Sequence, residues 1–208
     1  MNSEFEAQGI GLWRGDRHLC QGLSFRLGAG EFLQLSGPNG AGKTSLLRTL
    51  AGIGRLDEGQ VLWMGQSTRT VPAFREALIY VGHHNGLKAH LTPTENYLFY
   101  QSIAHQSSEI TAKAALERCG IAALKDRPVA LLSMGQKRRA TLARLLALKA
   151  RLWLLDEPLA SLDQDGIEMV AGLLKEHIAA GGMGILVTHQ PLSIPGVTVR
   201  RLEMGEAA

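Results

Sequence analysis

One eight-residue segment of the chain has the residue types and spacing of a phosphate-binding loop. It reads Gly37-Pro-Asn-Gly-Ala-Gly-Lys-Thr44 and fits the pattern G-x-x-x-x-G-K-[ST]. Glycines let backbone N–H groups curl around phosphate oxygens, and a helix N-terminus adds partial positive charge. Lys43 can reach the β- and γ-phosphates, and the Thr44 hydroxyl can bind Mg²⁺. The alternative is a surface turn followed by an ordinary helix cap. The residues expected to contact phosphate or nucleotide here are Gly37, Pro38, Asn39, Gly40, Ala41, Gly42, Lys43, Thr44 and Ser45.

Two adjacent carboxylates follow a short apolar run near residue 155. The run Leu152-Trp-Leu-Leu155 precedes Asp156 and Glu157, and continuous apolarity is typical of a strand buried on both faces of a parallel sheet. Ligands of open α/β sheets lie at the carboxyl ends of the strands. Asp156 is therefore expected to hold Mg²⁺ through water, and Glu157 to polarise a water that attacks a γ-phosphate. Without the phosphate loop, the same pair would read equally well as two solvated acids after a strand.

The most distinctive segment of the chain is Leu132-Ser-Met-Gly-Gln136. Ser133 is a suitable helix N-cap, and Gln136 stands three residues later, where it can complete a capping box. A capped helix start is the simpler interpretation. The functional interpretation is a second anion-binding helix terminus, which faces the γ-phosphate of a nucleotide held by another subunit.

The elements that must position these groups have the pattern of an α/β protein. Residues 31–36 alternate with the period of a strand and run into the glycine-rich loop, after which Leu46, Leu47 and Leu50 have helical spacing. Strands that alternate with helices indicate a mostly parallel sheet. Further strands are expected at residues 77–81, 152–155 and 184–187.

Residues 92–150 are expected to form a helical region inserted in the α/β core. Thr92 can cap a helix in which Pro93 occupies the first position and Glu95 completes a capping box. Further helices are expected from about Thr111 and from Ser133, and no strand is apparent between residues 92 and 150.

Composition and charge exclude several other classes. Of the 208 residues, 45% are hydrophobic and 20% are charged, which is ordinary for a globular domain. The net charge of +3 is too small to argue for nucleic acid or an anionic membrane as a partner. Cys20 and Cys119 form no CxxC pair, which excludes a disulfide scaffold and argues against a thiolate zinc site. Residues 1–8 contain no apolar run, so no signal peptide is expected.

The stretch 178–199 lacks Asp, Glu, Lys and Arg, which is one feature of a membrane span. Glycines divide it, as do Pro191 and Pro195. A spanning helix needs about 20 mostly apolar residues. We therefore expect a turn, a strand and a second turn instead.

In this order, the segments resemble the ATP-binding cassette family, the motor subunits of ABC transporters. Leu132–Gln136 is similar to the family signature LSGGQ, with Met134 at the first glycine, and Leu152–Glu157 matches the second nucleotide motif. Ser161-Leu-Asp163 resembles the loop that crosses the dimer interface, and His189 the switch histidine after a strand. The resemblance covers nearly the whole chain.

This resemblance implies one domain over residues 1–208, with a helical subdomain at about 92–150. The fold would be a P-loop NTPase cassette: a RecA-like core with an N-terminal antiparallel β part and a helical insertion. ATP and Mg²⁺ would be the cofactors, and two copies would sandwich two ATP molecules in a homodimer. The catalytic residues would be Lys43, Glu157 and His189, the magnesium-binding residues Thr44 and Asp156, and the contacts from the second copy Ser133, Gly135 and Gln136.

Two positions depart from the pattern of the family. The family usually carries a glutamine twelve residues before the Glu of Glu95-Asn96, where this chain has His83. A neutral imidazole can donate or accept one hydrogen bond there, whereas a direct Mg²⁺ ligand runs against the preference of that ion for oxygen. The aromatic residue that stacks on adenine corresponds to Trp13, or to Arg14 if the turn is aligned one residue later.

The segment Tyr80–Asn96 carries a more specific resemblance, to the CcmA family of ATP-binding subunits of bacterial cytochrome c maturation exporters. That family typically reads Gly-His-Gln-x-Gly-x-Lys through Leu-Thr-x-x-Glu-Asn, and His84 replaces the glutamine here. The resemblance implies a peripheral position on the cytoplasmic face of the inner membrane, with the membrane subunits CcmB and CcmC. It also implies a functional link to the haem chaperone CcmE, through haem export or through release of the haem-loaded chaperone.

Three other functions fit the motifs. One is the ATPase of another small exporter, for lipid or drug, and a second is a nucleotide-dependent binding switch with little turnover. The third is a nucleic-acid-linked cassette, against which the small net charge argues.

Overall fold

The computed structural model describes residues 4–104, 107–190, 192, 194 and 196–205. Pro191 and Pro195 lie outside the described residues, as do the two chain ends at residues 1 and 208. The strands of the described part are β1 (Phe5–Arg14), β2 (Arg17–Leu27), β3 (Phe32–Ser36), β4 (Glu58–Trp63), β5 (Gln66–Ser67), β6 (Leu78–Val81), β7 (Leu152–Asp156), β8 (Met183–Val187) and β9 (Val199–Glu203). The α-helices are α1 (Lys43–Leu50), α2 (Pro72–Ala77), α3 (Pro93–Ser102), α4 (Ala112–Arg118), α5 (Met134–Ala143) and α6 (Gln164–Ala179).

The strands form two sheets, and the predicted α/β class is confirmed. An antiparallel sheet has the order β2-β1-β4-β5, and a second sheet has the order β6-β7-β8-β3-β9, in which every neighbouring pair is parallel. The strands expected at 31–36 and 77–81 each begin one residue later, at Phe32 and Leu78. In the second case Ala77 is the last residue of α2.

The central strands of the parallel sheet are buried on both faces, as continuous apolarity predicts. All five residues of β7 and all five of β8 are buried. Leu152 and Leu154 pack on one face with α1 and the antiparallel sheet, whereas Trp153 and Leu155 pack on the other with α4, α5 and α6. This alternation lets one short strand anchor both layers of the core.

The helical region carries the two predicted capping boxes. Thr92 caps α3 with Pro93 at the first position, and Ser133 caps α5. Helix α5 continues in a 3₁₀ turn, Arg144–Leu146, which buries Leu145 and Leu146. None of the described helices is both long and apolar enough to span a membrane.

Four neighbouring strands of the parallel sheet lead into the phosphate loop, the acidic pair, His83 and His189. Strands β6, β7, β8 and β3 are consecutive in the sheet and end at matched register, with Val81 opposite Leu155, Asp156 opposite Val187 and Val187 opposite Leu35. Because the strands are parallel, the residues that follow them meet at one edge. That edge is the candidate site.

Candidate functional site

The glycine-rich loop between β3 and α1 takes a path that requires its glycines. Gly37 has φ 137°, and a Cβ there would collide with the carbonyl oxygen of Met204. Gly42 has φ 91°, and a Cβ there would lie 2.9 Å from Cβ of Leu19. Gly42 is also the N-cap of α1 and supplies no side-chain cap. The N-terminal N–H groups of this helix therefore have no side-chain acceptor at the cap, which is the arrangement that phosphate oxygens occupy in anion sites.

Lys43 lies inside the curve of this loop. Its side chain is buried, and Nζ donates to the carbonyl oxygens of Gly37 at 2.7 Å and Pro38 at 2.8 Å. An ammonium group has three donors, so one donor is left for a phosphate oxygen. The two carbonyls thus fix the cation at the centre of the loop.

Thr44 joins the loop to the end of β7. Its Oγ1 donates to Oδ1 of Asp156 at 3.1 Å, and Asp156 is 1% exposed. The other carboxylate oxygen, Oδ2, is buried and accepts no hydrogen bond within the described residues. A buried carboxylate oxygen without a donor, beside a threonine hydroxyl, offers the oxygen ligands that Mg²⁺ prefers. The residues present therefore fit that ion.

Glu157 and His189 face each other across the ends of β7 and β8. Glu157 Oε1 lies 3.5 Å from Nε2 of His189 and has no hydrogen-bond donor among the described residues. The backbone of Glu157 is left-handed, with φ 50°, and its N–H donates to the carbonyl oxygen of Val187 at 2.8 Å. A left-handed conformation is uncommon for a residue other than glycine and clusters at functional sites.

The phosphate loop and these side chains border one cleft of about 500 Å³. Nine of the site residues predicted from the sequence line it: Asn39, Gly40, Gly42, Lys43, Thr44, Ser45, His83, Glu157 and His189. Arg14 also lines it, whereas Trp13 lines an adjoining cleft of about 670 Å³ that shares Leu19 and Ser45. The two alternatives for the position that stacks on adenine thus lie in different clefts. Trp13 is 48% exposed and stacks on His18 with ring centroids 4.0 Å apart.

His83 follows β6 at the rim of the cleft. It also lines a groove with Thr44, Asp156 and His84, and its ring centroid lies 5.7 Å from that of His84 in an edge-on arrangement. Tyr80 lines this groove as well, and burial, reinforced by the charge of Asp156, raises the pKa of its hydroxyl. The part of the chain that the structure describes contains no group of three or more His, Cys, Asp or Glu side chains arranged to hold a metal ion.

The signature segment, Leu132–Gln136, lies outside the cleft of its own chain. Ser133, Gly135 and Gln136 are not among the described residues that line it. Ser133 Oγ accepts from the N–H of Gln136 at 3.2 Å, and Gln136 Oε1 accepts from the N–H of Ser133 at 2.9 Å, which closes the capping box. A Cβ on Gly135 would lie 2.6 Å from the carbonyl oxygen of Ser161. This glycine therefore permits a close approach to the loop that precedes α6.

Arg138 is a site residue that the sequence reasoning missed. It is 3% exposed and donates to backbone carbonyls at the end of β7. It lies next to Lys137 and Arg139, and such a basic run usually marks a solvated face. The available signal was helical spacing, because Arg138 stands four residues before Leu142 and seven before Leu145, both of which are buried.

Comparison with known proteins decides the family. The model of the ABC transporter family matches residues 20–160. The cytochrome c biogenesis ATP-binding export protein CcmA of Yersinia pestis is 46% identical over 198 residues, which is 95% of this chain and 91% of that protein. The chain belongs to the CcmA family of ABC transporter ATP-binding proteins. As a member of that family it is an ATP-binding subunit with the ATPase role of an ABC transporter, and such subunits act in pairs with membrane partners.

Two further proteins are similar to the CcmA-family chain, one in sequence and one in fold. A relative from Salmonella choleraesuis is named as a bifunctional cytochrome c-type biogenesis protein, CcmAE, and is 44% identical over 97% of this chain and 59% of its own length. The solved structure of an ABC transporter ATP-binding protein from Pyrococcus furiosus superposes with a TM-score of 0.82 over 96% of each chain. Its 21% sequence identity makes this a likeness of fold alone.

Proposed function

We propose that the chain is the ATP-hydrolysing motor of a transporter complex for cytochrome c biogenesis. Its turnover would power haem export, or release of the haem-loaded chaperone, to the periplasm. The observation that carries the ATPase part is the single cleft in which Lys43, Thr44, Glu157 and His189 converge. The cytochrome c part rests on the 46% identity to a named CcmA protein.

In the proposed reaction, the phosphate chain of ATP lies along the loop from Gly37 to Ser45. Lys43 gives its remaining donor to a β- or γ-phosphate oxygen. Thr44 and Asp156 would hold Mg²⁺, Asp156 through water, and the ion would supply positive charge that offsets the charge of the phosphates. The cleft that Trp13 lines adjoins the phosphate loop, and we assign it to the base and the sugar.

Glu157 is the proposed general base. Its Oε1 takes a proton from a water whose oxygen attacks the γ-phosphorus, and the bond from that phosphorus to the β-bridging oxygen breaks to give ADP and phosphate. His189, 3.5 Å from Oε1, orients the carboxylate and the water. His83, at the rim of the cleft, contributes a hydrogen bond in the place of the usual glutamine amide.

A second copy would complete each site. The N-terminus of α5 stands outside the cleft of its own chain. Its capping box uses the N–H groups of Ser133 and Gln136, so the donors outside that box serve another nucleotide. In the proposed homodimer, Ser133, Gly135 and Gln136 of one copy face the γ-phosphate bound by the other. ATP then joins the copies, and hydrolysis separates them.

The proposed setting is the cytoplasmic face of the bacterial inner membrane, with the whole chain as one cassette and residues 92–150 as its helical subdomain. CcmB and CcmC are the proposed membrane subunits. The relative named CcmAE supports a functional link to the chaperone CcmE, because its name joins the two activities in one protein.

Covalent haem attachment to periplasmic c-type cytochromes tests the proposal. The assay compares cells whose only copy of the gene encodes Lys43→Ala, Glu157→Gln or the surface control Glu117→Gln. Loss of holocytochrome in the first two, with apocytochrome still exported and the control normal, is the expected result. Normal haem attachment in all three would indicate that the chain is the ATPase of another exporter, for lipid or drug. Loss with Lys43→Ala alone would indicate a binding switch without turnover.

A further inference from the structure

Arg138 is a buried cation that binds three consecutive carbonyl groups beside the candidate base. Its Nη2 donates to the carbonyl oxygens of Asp156 at 2.8 Å and Glu157 at 2.7 Å, and its Nε donates to that of Pro158 at 3.2 Å. These carbonyls lie where β7 ends and the chain turns toward α6. The guanidinium therefore fixes the main chain at the turn that carries both carboxylates.

The other end of the same guanidinium binds the segment after β6. Nη1 donates to the carbonyl oxygen of Gly82 at 3.1 Å and to Oδ1 of Asn85 at 3.3 Å. The hydroxyl of Thr141, one turn further along α5, shares its proton between the carbonyl oxygens of Lys137 at 2.9 Å and Asn85 at 3.2 Å. Arginine has five N–H donors in a rigid plane, and all five of Arg138 are used. One side chain thus ties α5 to the two strand ends that flank the cleft.

The acceptors of Arg138 are unusual for a buried charge. Four of them are backbone carbonyls and the fifth is an amide oxygen, and the described residues include no carboxylate within ion-pair distance of the guanidinium. Burial lowers the pKa of Arg138 to about 10, while the charges of Asp156 and Glu157 act in the opposite direction. The group is therefore charged at neutral pH. Its bonds fix a main-chain path, which a side-chain ion pair would not do.

Glu157 is the residue that most needs such support. Its φ of 50° is one that residues other than glycine hold only where surrounding contacts impose it. Its N–H is held by the carbonyl oxygen of Val187 on β8, and its own carbonyl oxygen by Arg138 on α5. The two peptide groups of Glu157 are thereby fixed from opposite sides, which directs the carboxylate toward His189.

We propose that Arg138 is a positioning residue for ATP hydrolysis, which holds the backbone of Glu157 so that its carboxylate faces the γ-phosphate. The inference rests on the proposed role of Glu157 as the base. Arg138 touches neither nucleotide nor water in this scheme. It acts only through the peptide groups of residues 156–158 and through the segment 82–85.

The test measures kcat and KM for ATP, with the full chain purified together with its membrane subunits. Arg138→Lys keeps the charge but has three donors on one atom and lacks the planar fork. It should lower kcat about tenfold or more and leave KM within about twofold, because a misdirected base slows the chemical step more than it weakens nucleotide binding. The control is Arg118→Lys, which alters an arginine that pairs with Glu176 on the surface and should change neither constant.

Two further measurements separate positioning from folding. In a Glu157→Gln background, Arg138→Lys should change the residual hydrolysis by less than about twofold, since residues that act through one another are not additive. If Arg138→Lys does not fold, Asn85→Ala removes one acceptor and should lower kcat by a smaller factor at unchanged KM.

An additive loss in the Glu157→Gln background would overturn the inference. So would a normal kcat in folded Arg138→Lys or, where that variant does not fold, in Asn85→Ala. A parent complex without ATP hydrolysis that depends on Glu157 would instead overturn the proposed function, and this inference with it.

Discussion

Oγ1 of Thr44, in the first turn of α1, donates to Oδ1 of Asp156, the last residue of β7, across 3.1 Å. The two residues are 112 positions apart, and this hydrogen bond joins the phosphate loop to the strand that carries both carboxylates. Oδ2 of Asp156 is buried and accepts no hydrogen bond from the described residues, so the pair offers oxygen ligands for the proposed Mg²⁺. The relative position of loop and strand thus depends on a contact that also serves the proposed ion.

Thr44→Val tests that dual role. Valine keeps the shape of the side chain but removes the hydroxyl, so the variant should raise the Mg²⁺ concentration that half-saturates ATPase activity by about 10- to 100-fold. Thr44→Ser keeps the hydroxyl and should stay within about threefold of the parent chain by the same reasoning. The measurement is ATPase rate against Mg²⁺ at saturating ATP. Equal Mg²⁺ dependence of the valine and serine variants would remove Thr44 from the ion site.

Glu157→Gln should slow hydrolysis while nucleotide binding persists. Removing a general base costs about 10²- to 10⁴-fold in rate, whereas Lys43 and Thr44 still hold the phosphates. ATP should then keep two copies together, and light scattering should report a dimer in ATP and a monomer in ADP. Glu117→Gln, which alters an exposed residue of α4, serves as the control. Fast hydrolysis by Glu157→Gln with no dimer would remove this residue from the role of base.

The segments that follow the strands were predictable because covalent spacing fixes them. A glycine-rich loop ahead of Lys43 and a pair of acids after four apolar residues each specify their place at a strand end without knowledge of the rest of the fold. The capping boxes at Thr92 and Ser133 were predictable for a similar reason, since each needs only residues within one turn.

The individual strands of the antiparallel sheet could not be read from the sequence. In β1, the alternation of buried and exposed residues breaks after Gln8, and Ile10, Gly11 and Leu12 are buried in succession. The register with β2 shifts three times along this strand. Each shift moves side chains to the other face of the sheet. The alternation of apolar and polar residues that predicts a strand is therefore lost beyond Gln8.

Arg138 could not be assigned a role because its partners are four backbone carbonyls and one amide oxygen at and after the ends of β6 and β7. Helical spacing with Leu142 indicates a buried position, but nothing in the sequence specifies that carbonyls from residues 156–158 and 82 converge there. The sequence could not show that Trp13 and Arg14, consecutive residues at the end of β1, line two different clefts.

The two capping boxes offer a matched pair of stability tests. Ser133→Ala and Thr92→Ala each remove one side-chain acceptor at a helix N-terminus, and the two lost bonds have the same length, 3.2 Å. Each variant should lower the free energy of unfolding by about 1 kcal/mol, or Tm by roughly 2–4 °C for a domain of this size.

Only Ser133→Ala should also weaken the ATP-dependent dimer, because only Ser133 is proposed to face a nucleotide. The dimer is measured by light scattering over a range of chain concentrations in the Glu157→Gln background, where ATP persists. Equal dimer affinity in Ser133→Ala and Thr92→Ala would reduce the signature segment to a structural cap.

His177 should give the chain an acid-sensitive component of stability. Its ring stacks on Trp153 with centroids 3.9 Å apart, and Nε2 donates to the carbonyl oxygen of Met183 at 3.1 Å. Burial lowers the pKa of His177 from its ordinary value of 6.5. The unfolded chain therefore takes up a proton at higher pH than the folded chain, so folding stability from this residue is complete above pH 6.5 and is lost as pH falls through the folded pKa.

His177→Phe keeps an aromatic ring on Trp153 but cannot titrate. It loses one hydrogen bond, so it should be less stable than the parent by about 1 kcal/mol at pH 8. This difference should shrink as pH falls below 6.5, because only the parent loses the stability linked to His177. Thermal melts of parent, His177→Phe and the exposed-histidine control His90→Gln between pH 8 and about pH 5 check this. Parallel curves for parent and His177→Phe would show that His177 does not cause the acid sensitivity, whereas the control should follow the parent throughout.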